Sequence, residues 1–259
     1  MIIKDNINKD ANYNWGYDPL NYNCPEGSYS TNPYDGKVRI KEFKEMVQAL
    51  HKEKISVVMD VVYNHTYRIY LSNFEKTVPF YYYRQKPNGD KTNGSGCLND
   101  TASERKMVHN YIVNSILYWV NEYHIDGFRF DLMGLHDLDL MTDIRNKLNE
   151  LSPYGKDKIL YGEPWEMRTS ISKKGFNTPF ANKSNLSLFP KGISIFHDEL
   201  RDAIIGNIFN KLEKGFISGR FLENLDNIKN LTEEFRRYFT GGLYNVDERV
   251  KTDKLINYI

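Results

Sequence analysis

Hydrophobic residues recur along this chain in two alternating patterns, one helical and one extended. Apolar side chains in residues 39–53 lie three or four positions apart, which is the spacing of one buried helix face. They are Ile40, Phe43, Val47 and Leu50. The next run, residues 55–62, is apolar and β-branched, which is typical of a strand covered on both faces. The pattern therefore predicts a helix followed by a buried strand.

The same alternation continues through the rest of the chain. After a loop at 63–100 that is rich in Gly, Asn and Tyr, Thr101 and Glu104 have the spacing of a capping box that opens a helix to Tyr123. Further predicted elements are strands at 125–132, 158–162 and 192–197, helices at 137–151 and 231–239, and the start of a strand at 254–259. This order predicts parallel strands joined by helices, in either a barrel or a doubly wound sheet.

Three acidic residues favour the barrel. Asp60, Asp131 and Glu163 each lie at or near the C-terminal end of a predicted strand, where α/β barrels collect catalytic groups from several strands. A doubly wound sheet more often carries a glycine-rich phosphate-binding turn, and neither G-x-G-x-x-G nor G-x-x-x-x-G-K occurs in the sequence. We therefore predict an α/β fold of the (β/α)8, or TIM-barrel, class, with residues 1–259 in one domain.

The pair Asp131 and Glu163 is suited to the cleavage of a glycosidic bond. Hydrolysis with retention needs two carboxyl groups about 5 to 5.5 Å apart, one to attack the sugar carbon and one to protonate the leaving oxygen. Arg129 lies two residues before Asp131 on the same strand face, and its positive charge would keep Asp131 ionised. Glu163 needs a partly desolvated site that keeps it protonated, to which Trp165 would contribute apolar surface.

Other chemistries find less support in the sequence. The histidines at 65, 109, 124 and 136 have no metal-ligand spacing, and no G-x-S-x-G nucleophile motif occurs. We therefore expect neither a metal nor an organic cofactor, while the sequence leaves calcium open. His65 follows the strand of Asp60, a position from which it could hydrogen-bond a sugar hydroxyl. Cys24 and Cys97 lie far apart and are predicted to be free thiols.

Composition points to an uncharged partner. The 35 basic and 34 acidic residues give a net charge of +1 without a long run of like charge, so neither nucleic acid nor a membrane surface is the expected partner. Aromatic residues make up 14% of the chain, a content suited to stacking against sugar rings. Residues 1–12 are polar and lack the apolar core of a signal peptide, so the default expectation is a cytoplasmic protein.

Several segments together resemble a known family. YNWGYDP at 13–19, DVVYNH at 60–65, GFRFDLMG at 127–134 and YGEPW at 161–165 resemble the conserved regions of the α-amylase superfamily, glycoside hydrolase family 13. The segments GSGCLNDTASER at 94–105 and FHDELRDAIIG at 196–206 resemble the type I pullulanases within that superfamily. This resemblance runs through nearly the whole chain.

The resemblance implies a role for each candidate residue. It makes Asp131 the nucleophile, Glu163 the general acid and base, and Arg129 the residue that positions the nucleophile. Asp60 and His65 would contact the glucose at the cleavage site, and Tyr17 would stack beneath that glucose. Together with Trp165, which lies two residues after Glu163, the expected substrate-binding residues are Tyr17, Asp60, His65 and Arg129.

Two positions after the nucleophile bear on the substrate. Gly134 and Leu135 stand where α-amylases commonly carry Lys and His, and pullulanases share the pattern seen here. The resemblance therefore implies cleavage of α-1,6 branch links in pullulan, glycogen or starch dextrins rather than of α-1,4 chain links. Leu98 departs from the resemblance, because the family often has glycine at this position.

The extent of the resemblance predicts an incomplete barrel. By comparison with the family, the chain would cover approximately strands three to seven, and the family's third essential carboxylate would follow the seventh strand, beyond residue 259. The chain alone would then be a catalytic domain that is incomplete at both ends and inactive. Two alternatives stay open: another α-glucan hydrolase, isoamylase-like or amylase-like, and a non-catalytic glucan-binding remnant.

Overall fold

The computed structural model of the protein describes residues 15–151, 153–167, 169 and 178–220. The chain divides into two compact units, one that ends at Pro190 and one that begins at Lys191. Helices and strands alternate along the first unit, as the hydrophobic pattern predicts. The predicted assignment of residues 1–259 to one catalytic domain stays a prediction.

The first unit contains four helices and three strands within the described residues. In chain order they are α1 (Gly36–Lys52), β1 (Val58–Val61), α2 (Asn73–Thr77), α3 (Lys106–Tyr123), β2 (Gly127–Phe130), α4 (Leu138–Glu150) and β3 (Ile159–Gly162). Short 3-10 segments lie at Gly27–Tyr29, Ile69–Leu71, Met133–Leu135, Gly155–Asp157 and Lys183–Leu188. In the second unit, β4 is Ser194–Ile195 and α5 is Asp198–Ile205.

The strands of the first unit pair in parallel, with β2 between β1 and β3. Their register places Asp60 of β1 opposite Arg129 of β2, and Arg129 opposite Tyr161 of β3. Parallel strands need a long crossover connection, and α3 and α4 lie in the two crossovers. The predicted α/β fold with parallel strands is therefore confirmed. All three strand ends that carry the candidate acidic residues lie at one edge of the sheet.

The core of the first unit is built from the strands and from one face of each long helix. Asp35 and Asp137 cap α1 and α4, because their carboxylates accept hydrogen bonds from the backbone N–H groups of Lys37 and Leu140, each at 2.9 Å. Deeply buried apolar side chains of β2, β3, α3 and α4 include Phe128, Phe130, Leu160, Ile112, Ile116, Leu140, Met141, Ile144 and Leu148. Packing of these faces fixes the strand ends on which the site depends.

The capping box predicted at Thr101 and Glu104 does not form. Helix α3 begins at Lys106 and has no side-chain cap. The hydroxyl of Thr101 instead donates to the carbonyl of Tyr63, and Glu104 forms a buried ion pair with Arg84 at 2.9 Å. Both side chains thus bind partners that are distant in sequence instead of capping α3, and a local sequence pattern could not reveal those partners.

The first predicted strand is shorter and less covered than expected. Strand β1 spans only part of residues 55–62, Ile55 is 52% exposed and Asp60 is exposed. Among the described residues β1 pairs with β2 alone, so one edge of this strand has no described neighbour. The loop predicted at 63–100 contains α2 and a 3-10 turn. The elements predicted at 231–239 and 254–259 lie outside the described residues.

The two cysteines are predicted from the sequence to be unpaired. Cys24 and Cys97 are free thiols, as predicted. No helix within the described ranges is both long and apolar enough to cross a lipid bilayer.

Replacing Leu98 by glycine should stabilise the protein. Leu98 has a φ of 67° and is 78% exposed, so its side chain gains little from burial while its backbone occupies the left-handed region that favours glycine. The left-handed conformation costs a non-glycine residue about 1 to 2 kcal/mol. Leu98→Gly should raise the free energy of unfolding, measured by urea denaturation, whereas Leu188→Gly should not. Leu188, 57% exposed, is the control. Equal effects of the two substitutions would contradict the prediction.

His136 should make the protein sensitive to acid. Its side chain is fully buried, neither ring nitrogen has a hydrogen-bond partner among the described residues, and burial together with the charge of Arg84 lowers its pKa to about 3. In the unfolded chain, His136 binds a proton near the ordinary histidine pKa of about 6.5. The free energy of unfolding should therefore fall by about 1.4 kcal/mol per pH unit within the window from about pH 6.5 down to about pH 3. Above the window the contribution to stability is complete.

Substitution of His136 tests this pH dependence. His136→Phe should flatten the loss of unfolding free energy between pH 6 and pH 4, measured by urea denaturation at about half-unit steps. The exposed His124, replaced by asparagine because it has a positive φ, serves as the control and should leave the slope unchanged. An unchanged slope in His136→Phe would assign the acid sensitivity to other groups.

Candidate active site

The guanidinium of Arg129 joins three carboxylates that come from three neighbouring strand ends. Its Nη1 donates to Asp60 Oδ1 at 2.8 Å and to Asp131 Oδ1 at 3.3 Å, while its Nη2 lies 2.7 Å from Glu163 Oε1. The register of β1 with β2 places Asp60 beside Arg129, and Asp131 and Glu163 directly follow β2 and β3. The predicted contact between Arg129 and Asp131 is therefore present.

Arg129 carries its charge in a largely buried position. Its side chain is 14% exposed. Burial opposes the positive charge, but the hydrogen bond with Asp60 and the attraction of Glu163 and Asp60 outweigh it and raise the pKa of Arg129. Because a buried cation is stable only when it is paired, this one group holds the three carboxylates close to one another.

Asp131 is also held from its other side. The amide of Asn64 donates to Asp131 Oδ2 at 2.9 Å and to the Asp131 carbonyl at 2.7 Å. The amide oxygen of Asn64 in turn contacts Nδ1 of His65, which makes Nδ1 the donor in that bond. Burial lowers the pKa of His65, against the opposing effects of the Tyr17 backbone and of Asp131. His65 and Asn64 thus form a polar chain that ends on Asp131.

Glu163 has polar rather than apolar surroundings. Its Oε1 contacts Arg129, and its Oε2 accepts a hydrogen bond from the backbone N–H of Leu132 at 2.9 Å. The side chain of Glu163 is 19% exposed, and the expected contribution of apolar surface from Trp165 stays a prediction. The half-buried ring of Trp165 lies under the ammonium of Lys183, with Nζ 5.3 Å from the ring centroid.

Tyr17 lies against Asp60 and Arg129. Its hydroxyl donates to Asp60 Oδ2 at 2.8 Å, and the Arg129 guanidinium carbon lies 5.6 Å from the centroid of its ring. Burial, followed by the hydrogen bond to Asp60, raises the pKa of the Tyr17 hydroxyl. The structure thus brings Tyr17, Asp60, Arg129, Asp131 and Glu163 into one connected cluster, which His65 joins through Asn64.

Some residues of the site were not found by sequence reasoning. Asn64 lies inside the DVVYNH segment, but an asparagine carries no signature of its own.

Asp100 is buried and accepts backbone N–H bonds from Gly94 and Ser95, each at 2.8 Å. Although burial opposes ionisation of Asp100, these bonds and one from Thr92 lower its pKa. The carboxylate therefore organises the loop that precedes it.

One group of neighbouring side chains in the described residues has the donor atoms to ligate a metal ion. Ligand atoms of His197, Asp198 and Glu199 lie within 4.8 Å of one another at the start of α5. Nδ1 of His197 accepts a hydrogen bond from the backbone N–H of Leu200, so its lone pair caps the helix.

An open cavity of about 1010 Å³ is lined by residues such as Tyr81, and none of the predicted site residues lines it.

The fold and the site define an α/β protein that carries a carboxylate cluster at the carboxyl ends of its parallel strands, where α/β enzymes place catalytic groups. Comparison of the sequence with known proteins identifies relatives of this chain. The chain is 42% identical over 209 residues to the pullulanase of Bacillus subtilis, across 80% of this chain and 28% of that protein. It is 39% identical over 128 residues to isoamylase 3 of rice, across 47% of this chain and 16% of the isoamylase.

Solved structures agree with the sequence relatives. The pullulanase of Paenibacillus barengoltzii, solved in complex with maltohexaose and α-cyclodextrin, superposes with a TM-score of 0.75 at 50% identity. That match covers 80% of this chain and 31% of the other. The chain matches no protein-family model. The chain is thus homologous to pullulanases over most of its length, and it spans less than a third of the length of these relatives.

Exchanging the amide of Asn64 for a carboxylate should destabilise the protein strongly. Asn64→Asp would set a charged oxygen against Asp131 in a buried position, where an unpaired charge costs about 3 to 5 kcal/mol. Because repulsion raises the pKa of this pair in the folded state, the loss should be smaller at pH 4 than at pH 7.

The matched control for this substitution is Asn88→Asp. Asn88 also donates its amide to a carboxylate, that of Asp90 at 2.7 Å, but in an exposed turn. Its exchange should cost less than about 1 kcal/mol. Urea denaturation of both variants at the two pH values measures the difference, and equal losses would show that Asn64 does not support Asp131.

Proposed function

We propose that the complete protein containing this chain is a retaining glycoside hydrolase that cleaves α-1,6-glucosidic branch links in pullulan, glycogen or starch dextrins. Asp131 is the nucleophile in this proposal, and Glu163 is the general acid and base. The observation that carries it is the sharing of Arg129 by these two carboxylates at adjacent strand ends. Homology to pullulanases supports the same reaction class.

The proposed reaction has two steps. In the first, Asp131 attacks the anomeric carbon while Glu163 gives its proton to the glycosidic oxygen, which leaves with the other half of the glucan. In the second, Glu163 takes a proton from water, whose oxygen attacks the same carbon and releases Asp131. The two carboxyl groups should then lie about 5 to 5.5 Å apart with the glucan bound.

The neighbours of each carboxylate support these different roles. Arg129 and Asn64 both donate to Asp131, so the nucleophile is oriented and its negative charge is stabilised. A proton on Glu163 Oε1 would face the donor Nη2 of Arg129, so the acid form requires that contact to open. The hydrogen bond from Leu132 to Oε2 does not conflict with a proton on Oε1.

The proposed sugar site lies around Tyr17 and Asp60. An aromatic face, a carboxylate and a neutral imidazole suit the apolar face and the hydroxyls of a glucose unit. Tyr17 would lie beneath the glucose at the cleavage site, while Asp60 and His65 would accept or donate hydrogen bonds to its hydroxyls. Trp165 would contact a neighbouring sugar unit. The maltohexaose and α-cyclodextrin bound by the Paenibacillus pullulanase support an α-glucan substrate.

In this proposal the sheet is part of a (β/α)8 barrel. The described strands would correspond to the third strand and those that follow it, with the active site at their carboxyl ends. An isoamylase-like activity is the second candidate, because the rice isoamylase 3 alignment also covers nearly half of this chain. Release of maltotriose from pullulan, measured against debranching of glycogen, distinguishes the two candidates.

Removal of the nucleophile tests the mechanism. In the complete protein, Asp131→Asn should lower kcat on pullulan by about 10,000-fold or more, because an amide cannot form the glycosyl ester. The control is Asp139→Asn, which alters an exposed aspartate in the first turn of α4 and should keep kcat within about threefold. Chromatography of the released maltotriose measures both, and undiminished release by Asp131→Asn would remove Asp131 from the mechanism.

A further inference from the structure

We propose that the turn Leu132–Gly134 is the device that positions the general acid, through two backbone N–H groups. The N–H of Leu132 donates to the Glu163 carboxylate at 2.9 Å, and the N–H of Gly134 donates to the Glu163 carbonyl at 2.9 Å. The same turn directly follows Asp131. One short backbone segment therefore fixes the position of the general acid relative to the nucleophile. This inference rests on the proposed function, and it concerns residues whose side chains touch no reacting atom.

The geometry of Leu132 directs its N–H at the carboxylate. Leu132 has φ 41° and ψ 48°, in the left-handed region, where a non-glycine residue costs about 1 to 2 kcal/mol. Such conformations persist only when the surrounding structure imposes them, and they cluster at functional sites. Here the turn reverses the chain just after β2, so that the N–H of Leu132 faces the end of β3.

The absence of a side chain at residue 134 permits this contact. A Cβ atom on Gly134 would lie 2.1 Å from the carbonyl oxygen of Trp165 and 3.1 Å from the carbonyl carbon of Pro164. Gly162, the last residue of β3, is also constrained, because its Cβ would lie 2.7 Å from the Met133 Cβ. The segment that carries Glu163 thus packs directly on the turn, and any side chain at residue 134 would push it away.

The buried side of the turn is anchored independently of Glu163. Nη1 of Arg84 donates to the carbonyl of Leu135 at 2.6 Å, and Arg84 is itself held by a buried ion pair with Glu104. A substitution at Gly134 should therefore move the Glu163 segment rather than the turn. A displacement of about 1 Å at a reacting group can cost about 100-fold in rate.

Two substrates with different leaving groups separate positioning of the acid from a general loss of structure. Pullulan requires protonation of its leaving oxygen, whereas α-maltosyl fluoride releases fluoride without an acid. In the complete protein, Gly134→Ala should lower kcat/KM on pullulan by about 100-fold and kcat/KM on α-maltosyl fluoride by less than about fivefold, because kcat/KM reports only the first step, before Glu163 acts as base. KM for pullulan should change by less than about threefold, because the substrate-contacting side chains are unaltered.

The matched control is Gly155→Ala. A Cβ at Gly155 would lie 1.9 Å from the carbonyl oxygen of Leu148, which is as severe a collision as that at Gly134 but involves none of the residues around Glu163. This variant should affect both substrates in equal proportion. Equal losses on the two substrates in Gly134→Ala would overturn the inference. Failure of the unaltered protein to hydrolyse either substrate would instead overturn the proposed function.

A backbone substitution keeps the inference testable if Gly134→Ala does not fold. Replacing Leu132 by its α-hydroxy analogue through nonsense suppression turns its amide into an ester and removes the N–H that reaches Glu163. The same selective loss on pullulan is expected. The control ester at Leu151 removes an N–H that donates to the Leu148 carbonyl at 3.0 Å, and it should leave the ratio of the two rates unchanged. An unchanged ratio in the Leu132 ester would refute the positioning role.

Discussion

A single buried cation ties together the strand ends of the first unit. The side chain of Arg129 is 14% exposed and needs anionic partners, and Asp60, Asp131 and Glu163 supply them from three successive strand ends. The parallel register brings Asp60 and Arg129 side by side, so sheet geometry and charge pairing support the same arrangement. Carboxylates at such short range would repel one another without the guanidinium between them.

Close backbone approach is the second constraint, and it complements the first. Gly134 and Gly162 leave no side chain between the turn after β2 and the end of β3, so backbone atoms and the Met133 side chain meet directly. Arg129 attracts Oε1 of Glu163, while the Leu132 N–H donates to Oε2 of the same carboxylate from the turn. The position of Glu163 is therefore determined by contacts from two directions.

Sequence reasoning succeeded where the determining interactions are local or periodic. The helices α1, α3 and α4 and the strands β2 and β3 follow from apolar spacing, and the pairing of Arg129 with Asp131 follows from strand alternation. It failed where a residue distant in the sequence determines which contact a side chain makes. The ion pair between Arg84 and Glu104 removes the predicted capping box, and no local pattern discloses it.

The same limit applies to the candidate site. The support of Asp131 by Asn64 joins residues that are 67 positions apart, and the backbone donor of Leu132 has no signature in a list of side chains. The polar surroundings of Glu163 also depend on Arg129, which belongs to another strand. The chemistry of the candidate residues could thus be recognised from sequence, whereas the groups that orient them required the folded chain.

The pairing of Asp60 opposite Arg129 also links the carboxylate cluster to the correct register of the strands. Side chains alternate between the two faces of a strand, so a slip of β1 by one residue would turn Asp60 to the opposite face and present Met59 or Val61 to the guanidinium. A misregistered chain could retain its helices and most of its strand hydrogen bonds, yet it would lack the carboxylate cluster. An assay of the proposed hydrolase activity in the complete protein would therefore report strand register more sensitively than a measurement of secondary-structure content.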